Sequence, residues 1–159
     1  MTVAFRLVLD LLHDAVDVVA GALETYVAWG EPGDRPGQYR LDVVADDAVV
    51  PMLLAAGVGV LSEESGLQEA GRDVLVVIDP VDGSTNASRR IPWYASSLCA
   101  LDSDGPVAAV VANLANGVRY EAVRGQGARR DGVPIEPSSC RLLGDAVVGL
   151  SGMPGRHLG

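Results

Sequence analysis

Two kinds of hydrophobic pattern, in a fixed order along the chain, constrain its fold more than any other feature. From Phe5 to about Val27, polar residues recur every three or four positions, which is typical of a helix with one narrow polar stripe. A second helix is predicted to begin at Asp46 or Asp47 and to end at Gly57. Helices followed by strands predict an α+β fold, in which two N-terminal helices pack on a largely antiparallel sheet. The predicted strands are the short apolar runs Val58–Leu61, Val74–Ile78, Ser96–Leu101, Val107–Asn113, Val118–Val123 and Asp145–Leu150.

Glycine and proline mark the points where these elements meet. Both residues are frequent in the segment 30–37, which predicts a loop. Gly105-Pro106 and Asn116-Gly117 lie between consecutive apolar runs, where tight hairpin turns favour such residues. Further turns are predicted at 125–127 and 131–132, and the residues from 151 to 159 are predicted to be a loop.

Composition and charge exclude several classes of function. The 159 residues are enough for one domain, and 21 acidic residues outnumber 12 basic ones. Every basic residue is arginine, which excludes a Walker A loop and a lysine Schiff base, and no basic cluster is available for a nucleic acid or an anionic membrane. Cys99 and Cys140 lie too far apart for a disulfide framework or an ordinary zinc site. Because the N-terminal sequence lacks the pattern of a secretion signal, we expect a cytoplasmic protein.

The strongest chemical signal is the segment Asp79-Pro80-Val81-Asp82-Gly83-Ser84-Thr85-Asn86, which follows the apolar run Val74–Ile78. It places Asp79 and Asp82 together at the end of a predicted buried strand, in a tight turn. Gly83 allows a ligand to approach the backbone, and the amides that follow favour a phosphate. Carboxylates would repel that phosphate unless a hard divalent cation lay between them, so the pattern indicates Mg²⁺.

Further carboxylates occur at two other predicted element ends. Glu63 and Glu64 follow the strand Val58–Leu61, and on a regular strand only one of them can face a shared site. Asp46 and Asp47 lie at the predicted start of the second helix. Taken singly, these signals are typical of a solvated loop, a surface turn or a helix cap, whereas their combination predicts a metal site.

These motifs resemble the inositol monophosphatase family of Mg²⁺-dependent sugar-phosphate phosphatases. The segment 79–86 is similar to the family's DP(I/V/L)DGTxN signature, Ser62-Glu63-Glu64-Ser65 to its GEES element, and 125–132 to its GxGA…NG hairpin. The resemblance implies the first half of an α/β/α/β/α sandwich. It also implies that the metal ligands are Glu64, Asp79, Asp82 and the Val81 carbonyl, and that Asp47 lies near a third metal. Ser84, with Glu64 or Asp47, is then expected to orient the attacking water. Asp82, Gly83 and Ser84 are expected to contact the substrate.

The sequence departs from the family pattern at three points. Ser84 replaces the usual Thr, and Ser62 replaces the usual Gly. The family's Trp-Asp…Ala-Ala-Gly element, whose Asp completes the second metal site, has no counterpart. We therefore expect residues 1–147 to form an N-terminal metal-binding domain and residues 148–159 to begin a second half that is otherwise absent.

The resemblance predicts hydrolysis of a small phosphate monoester, such as an inositol or sugar phosphate, by metal-activated water, in a protein that forms a homodimer as many relatives do. Two alternatives stay open. One is a truncated or degenerate family member that binds Mg²⁺ or phosphate weakly, or acts as a subunit, without being an enzyme. The other is an α+β domain that binds a carbohydrate or nucleotide without metal.

Overall fold

The structure, a computed structural model, describes residues 3–149 and confirms the α+β fold. Helix α1 spans Val3–Glu24, helix α2 spans Arg40–Ala55, and a short helix α3 spans Ser84–Ser88. No helix in this range is both long enough and apolar enough to cross a bilayer.

Helix α2 begins at Arg40, which is several residues earlier than the predicted start at Asp46 or Asp47. The Asp42 carboxylate accepts a hydrogen bond from the Tyr39 N–H at 2.9 Å, so the first turn is capped by a residue inside it. Pro51 therefore lies within the helix, on its exposed side. The carbonyl that loses its helical partner there can be solvated by water, which explains how the proline is tolerated.

The strands form one eight-stranded sheet in the order β2-β1-β3-β4-β5-β6-β7-β8. Strands β1 and β3 are parallel, and every other neighbouring pair is antiparallel, as predicted for a largely antiparallel sheet. The strands are β1 Gly59–Ser62, β2 Gly66–Gln68, β3 Leu75–Asp82, β4 Ala95–Asp102, β5 Gly105–Asn113, β6 Arg119–Val123, β7 Ala128–Arg130 and β8 Val133–Ile135.

Two predicted strands differ from the structure. Strand β3 extends to Asp82 and carries the first part of the acidic motif, with a register irregularity between Asp79 and Asp82, in place of the predicted tight turn. The run Asp145–Leu150 is not a strand over its described part: a 3-10 turn ends at Asp145 and 146–149 is irregular. These residues are exposed and pair with no strand in the described range, and an apolar run needs such a partner to become part of a sheet.

Both long helices pack on one face of the sheet, and together they form the core. In α2 the buried residues Leu41, Ala45, Val49 and Leu53 recur at intervals of four, so they form one stripe against the strands. The facing strand positions are also buried, namely Val60, Val76, Ile78, Leu98, Ala100, Val110 and Ala112.

The opposite face of the sheet is apolar but is not covered by either long helix. Strand pairing places a continuous row of small and apolar side chains across it. We call this row the open face; it comprises Leu61, Val77, Cys99, Ala109, Ala122, Ala128 and Ile135, each only half-buried or exposed.

Candidate metal centre

Parallel pairing of β1 and β3 brings two acidic segments to the same edge of the sheet. Ser62 pairs with Ile78, and the Glu63 N–H donates to the Ile78 carbonyl at 3.1 Å, one residue beyond the last strand pair. The next residue along β3 is Asp79, so Glu63 and Asp79 emerge side by side. The predicted meeting of two acidic strand ends therefore occurs, with Glu63 rather than Glu64 beside Asp79.

Asp79 is held in an environment that disfavours its charge. Burial and the adjacent Glu63 carboxylate raise the pKa of Asp79 to about 7. The charge of Asp82 adds to this pKa shift, whereas the Val81 N–H, which donates to Asp79 Oδ1 at 3.1 Å, lowers it. Such a group retains its proton near neutral pH unless a cation lies beside it.

Gly83 forms the sharp turn between β3 and α3. Its φ of +85° is left-handed, and a Cβ built there would lie 3.1 Å from the Trp93 carbonyl oxygen. That same oxygen accepts a hydrogen bond from Asn86 Nδ2 at 2.8 Å, which fixes α3 against the segment before β4. Gly83 is therefore required by both the turn and the close approach of the two segments.

We expect Gly83→Ala to lower the free energy of unfolding by about 1–2 kcal/mol, because a left-handed alanine is strained and its methyl group meets a backbone carbonyl. Urea denaturation of the two proteins measures the difference. Gly71→Ala is the matched control: Gly71 is exposed, has no positive φ and has open space at its Cβ, so a change within about 0.5 kcal/mol is expected. Equal effects of the two substitutions would contradict the special role of Gly83.

The structure places Asp42, rather than Asp47, near the acidic strand ends. Asp42 and Asp46 are four residues apart on the buried side of α2, whereas Asp47 is rotated away and exposed. Asp46 is bonded to the hydroxyl of Ser62, the residue that replaces the family's usual glycine. The carboxylate of α2 that faces the site is therefore Asp42.

Asp42 is buried, and one of its oxygens, Oδ1, has no hydrogen-bond partner. Burial raises the pKa of Asp42 to about 6, although the Tyr39 amide opposes the shift. The charge of Glu64 raises the pKa further, and the Ser84 hydroxyl lowers it. Ser84 and Asp42 are thus close enough to act on one ligand.

Glu64 lies at a small cleft of about 240 Å³ beside these groups. Arg35 and Gln38, both from the loop before α2, each donate a hydrogen bond to Glu64 Oε2. The cleft is lined by Arg35, Pro36, Gly37, Gln38, Asp42, Glu63, Glu64 and Ser84.

Glu63 connects this cleft with the surroundings of Asp79, because it also lines a second pocket of about 390 Å³ that contains Asp79, Ser97 and Cys99. Asp82 and Gly83 line a third, a groove of about 980 Å³ that reaches Trp93. The predicted residues Glu64, Asp79, Asp82, Gly83 and Ser84 thus line three cavities, two of them linked by Glu63, and Asp47 lines none of the three. We call the surface formed by these five residues and Glu63 the acidic ridge.

The residues at the ridge fit a hard divalent cation by their chemistry, but they are not arranged as a complete site. Within residues 3–149, no group of three carboxylate, histidine or cysteine side chains converges as metal ligands do. Carboxylate oxygens are the donors that Mg²⁺ prefers, and the unpartnered Oδ1 of Asp42 is an acceptor that a cation or its water would satisfy. Burial, and then the neighbouring carboxylates, raise the pKa values of Asp79 and Asp42, and a bound cation would oppose both shifts.

Sequence reasoning missed Asp42 and the cleft partners Arg35 and Gln38. The four-residue spacing of Asp42 and Asp46 signals that both share one helix face, and it becomes informative once α2 is known to begin at Arg40. No sequence signal identifies Arg35, because its contact depends on how the loop folds over the strand ends.

Comparison with known proteins shows which family this chain is similar to. Residues 40–156 match the model of the inositol monophosphatase family. A fructose-1,6-bisphosphatase/inositol-1-monophosphatase of Archaeoglobus fulgidus is 45% identical over 105 residues, which are 64% of this chain and 41% of that protein. A protein of the same name from Thermococcus kodakarensis is 40% identical over 95 residues, covering 60% of this chain and 37% of its own length.

The fold is similar to that of solved structures. The extragenic suppressor protein suhB of Bartonella henselae superposes with a TM-score of 0.72 at 26% identity, over 83% of this chain and 54% of that one. The chain therefore spans about two fifths of the length of the two curated relatives and about half of the solved chain.

Proposed function

Because the chain belongs to the inositol monophosphatase family, we propose that its acidic ridge binds Mg²⁺ for the hydrolysis of a small phosphate monoester. The observation that carries the proposal is the proximity of Glu63, which follows β1, to Asp79 in the parallel strand β3, with Asp82 at the end of β3 and Ser84 at the start of α3.

Asp79 and Asp82, with the Val81 backbone carbonyl, are the proposed metal ligands. Glu63 takes the position that the resemblance gave to Glu64, because Glu63 lies beside Asp79 whereas Glu64 is bonded to Arg35 and Gln38. When bound, Mg²⁺ lowers the pKa of a coordinated water and offsets the charge of a phosphate.

The chain's own residues supply proton transfer and orientation. The Ser84 hydroxyl is proposed to hold the attacking water, and Asp42 is proposed to take the role of proton acceptor that the resemblance gave to Asp47 or Glu64. With a pKa of about 6, Asp42 is mostly ionised at pH 7 and can accept a proton. Asp82, Gly83 and Ser84 are proposed to contact the substrate from the start of α3.

The names of the relatives support a sugar or inositol phosphate as the substrate. Because this chain covers less than half of each of those proteins, both activity and substrate belong to the proposal. Cytoplasmic location and a homodimer stay predictions.

The metal site is tested by titrating the purified chain with Mn²⁺ in a calorimeter. We expect binding to the wild-type chain and a loss of at least tenfold in affinity for Asp79→Asn, because the substitution removes a charged ligand between the other carboxylates. Release of phosphate from inositol 1-phosphate and fructose 1,6-bisphosphate, measured with and without Mg²⁺, tests the reaction and should fall by more than tenfold in the same variant.

Asp73→Asn is the control, because it removes the same charge from an exposed residue near the opposite end of β3. The control should bind Mn²⁺ like the wild type. If Asp79→Asn also binds Mn²⁺ like the wild type, the metal centre is not at this ridge.

A further inference from the structure

The loop before α2, which lines the acidic cleft, is held together by its own hydrogen bonds. Gly33 N–H donates to the Gln38 carbonyl at 2.8 Å, and Pro32 forms a bridge with Tyr39, so the loop closes on itself. The Gln38 side-chain carbonyl accepts hydrogen bonds from the N–H groups of Asp34 and Arg35 at 3.0 and 3.2 Å. The Gln38 side chain is therefore anchored by the loop's own backbone.

Glu64 accepts hydrogen bonds from two donors that differ in how they are held. Gln38 Nε2 is one, and its position is set by the loop. The Arg35 guanidinium is the other, and its side chain is 53% exposed, whereas that of Glu64 is only 13% exposed. If Arg35 moved away, Glu64 would keep the hydrogen bond from Gln38 and would not be left buried without a partner.

Arg35 is also the one basic residue that lines this cleft, facing the three carboxylates Asp42, Glu63 and Glu64. The two arginines that follow α3 do not line this cleft: the Arg90 guanidinium lies 3.9 Å from the centre of the Trp29 ring, and Arg89 donates to the Thr85 carbonyl at 3.4 Å. A phosphate that enters this cleft beside Ser84 therefore meets the Arg35 guanidinium, which lines the same cleft. An arginine suits that partner because its planar fork donates two parallel hydrogen bonds to phosphate oxygens.

We propose that Arg35 binds the phosphate group of the substrate by exchanging its hydrogen bond to Glu64 for the phosphate, while Gln38 retains Glu64. This inference rests on the proposed function, because the phosphate is attracted to the acidic ridge only when a cation is bound there. It assigns the loop before α2 to the recognition of the phosphate.

The test uses inorganic phosphate as the probe. The chain is saturated with Mn²⁺ and titrated with phosphate in a calorimeter, and Mn²⁺ binding is measured separately for each variant. Arg35→Gln should weaken phosphate binding by about tenfold and change Mn²⁺ affinity by no more than about threefold, because the guanidinium contacts the anion and not the cation. Arg35→Lys keeps the charge without the fork and should give an intermediate affinity.

Arg72→Gln is the matched control, because it removes the same charge from an exposed turn where Arg72 pairs with Glu69. Phosphate affinity should be unchanged in this control.

Three results would overturn the inference. The first is that Arg35→Gln binds phosphate as the wild type does, and the second is that Arg72→Gln weakens phosphate binding equally. The third is a wild type that binds no phosphate with or without Mn²⁺. Failure of the wild type to bind Mn²⁺ would instead overturn the proposed function.

Discussion

Replacing Leu98 by alanine is expected to lower the free energy of unfolding by about 3 kcal/mol. Leu98 is 2% exposed and lies in β4, where it pairs with Ile78 on one side and with Val110 on the other. All three side chains are on the face that the helices cover, so the cavity left by the truncation cannot be filled by a simple shift of a loop. Urea denaturation, with a check that the denaturant dependence is unchanged, measures the loss.

Leu61→Ala is the control, because it makes the same substitution on the open face. Leu61 is 38% exposed, and we expect its truncation to cost less than about 1 kcal/mol. Similar losses for the two variants would mean that both faces of the sheet are equally packed, which would contradict the description of the fold.

The second large effect concerns pH in the absence of divalent cations. The pKa of Asp79 is raised from an ordinary value near 4 to about 7, so the folded chain holds a proton between these values that the unfolded chain has released. Stability from this source is fully present below about pH 4 and is lost as the pH rises to about 7. Asp42, with a pKa of about 6, acts in the same direction. After allowance for solvent screening, the combined loss should be about 1–2 kcal/mol.

This effect is measured by following the urea midpoint from pH 4 to pH 7.5 in the presence of a chelator. Asp79→Asn cannot titrate and should flatten the pH profile, whereas Asp73→Asn should leave it unchanged. An unchanged profile in Asp79→Asn would show that Asp79 does not hold the proton. Addition of Mg²⁺ at pH 7 should restore stability to the wild type, because a cation that binds only the folded state stabilises it.

Much of the fold could be predicted from the sequence, because the periods of hydrophobic residues differ between helices and strands. The long pattern near the N-terminus and the Asn116-Gly117 turn carry local signals of that kind, and the structure has a helix and a hairpin there. Gly105-Pro106 instead begins β5, and the turn between β4 and β5 lies at 103–104. Element boundaries were harder: nothing local indicates that α2 starts at Arg40, since the Asp42 cap is recognisable only after the helix is placed.

The metal centre could be predicted as a region but not residue by residue. The acidic segments were recognised because they follow apolar strands, and parallel pairing of β1 and β3 brings them together. The choice between Glu63 and Glu64 depends on how the chain leaves β1, and the choice between Asp42 and Asp47 depends on the rotation of α2. Both are tertiary properties that spacing alone does not determine.

The strand order has a consequence for how the chain reaches its folded state. From β4 to β8 the order in the sheet follows the order in the chain, and each of these neighbouring pairs is joined by a short loop, which closes at a small cost in chain entropy. The metal centre needs α2, β1 and β3 together, and it joins a helix to strands across longer stretches of chain. We therefore expect the hairpins to form before the acidic ridge is assembled. The carboxylates of the ridge would then repel one another only late in folding, when the last long-range contacts form.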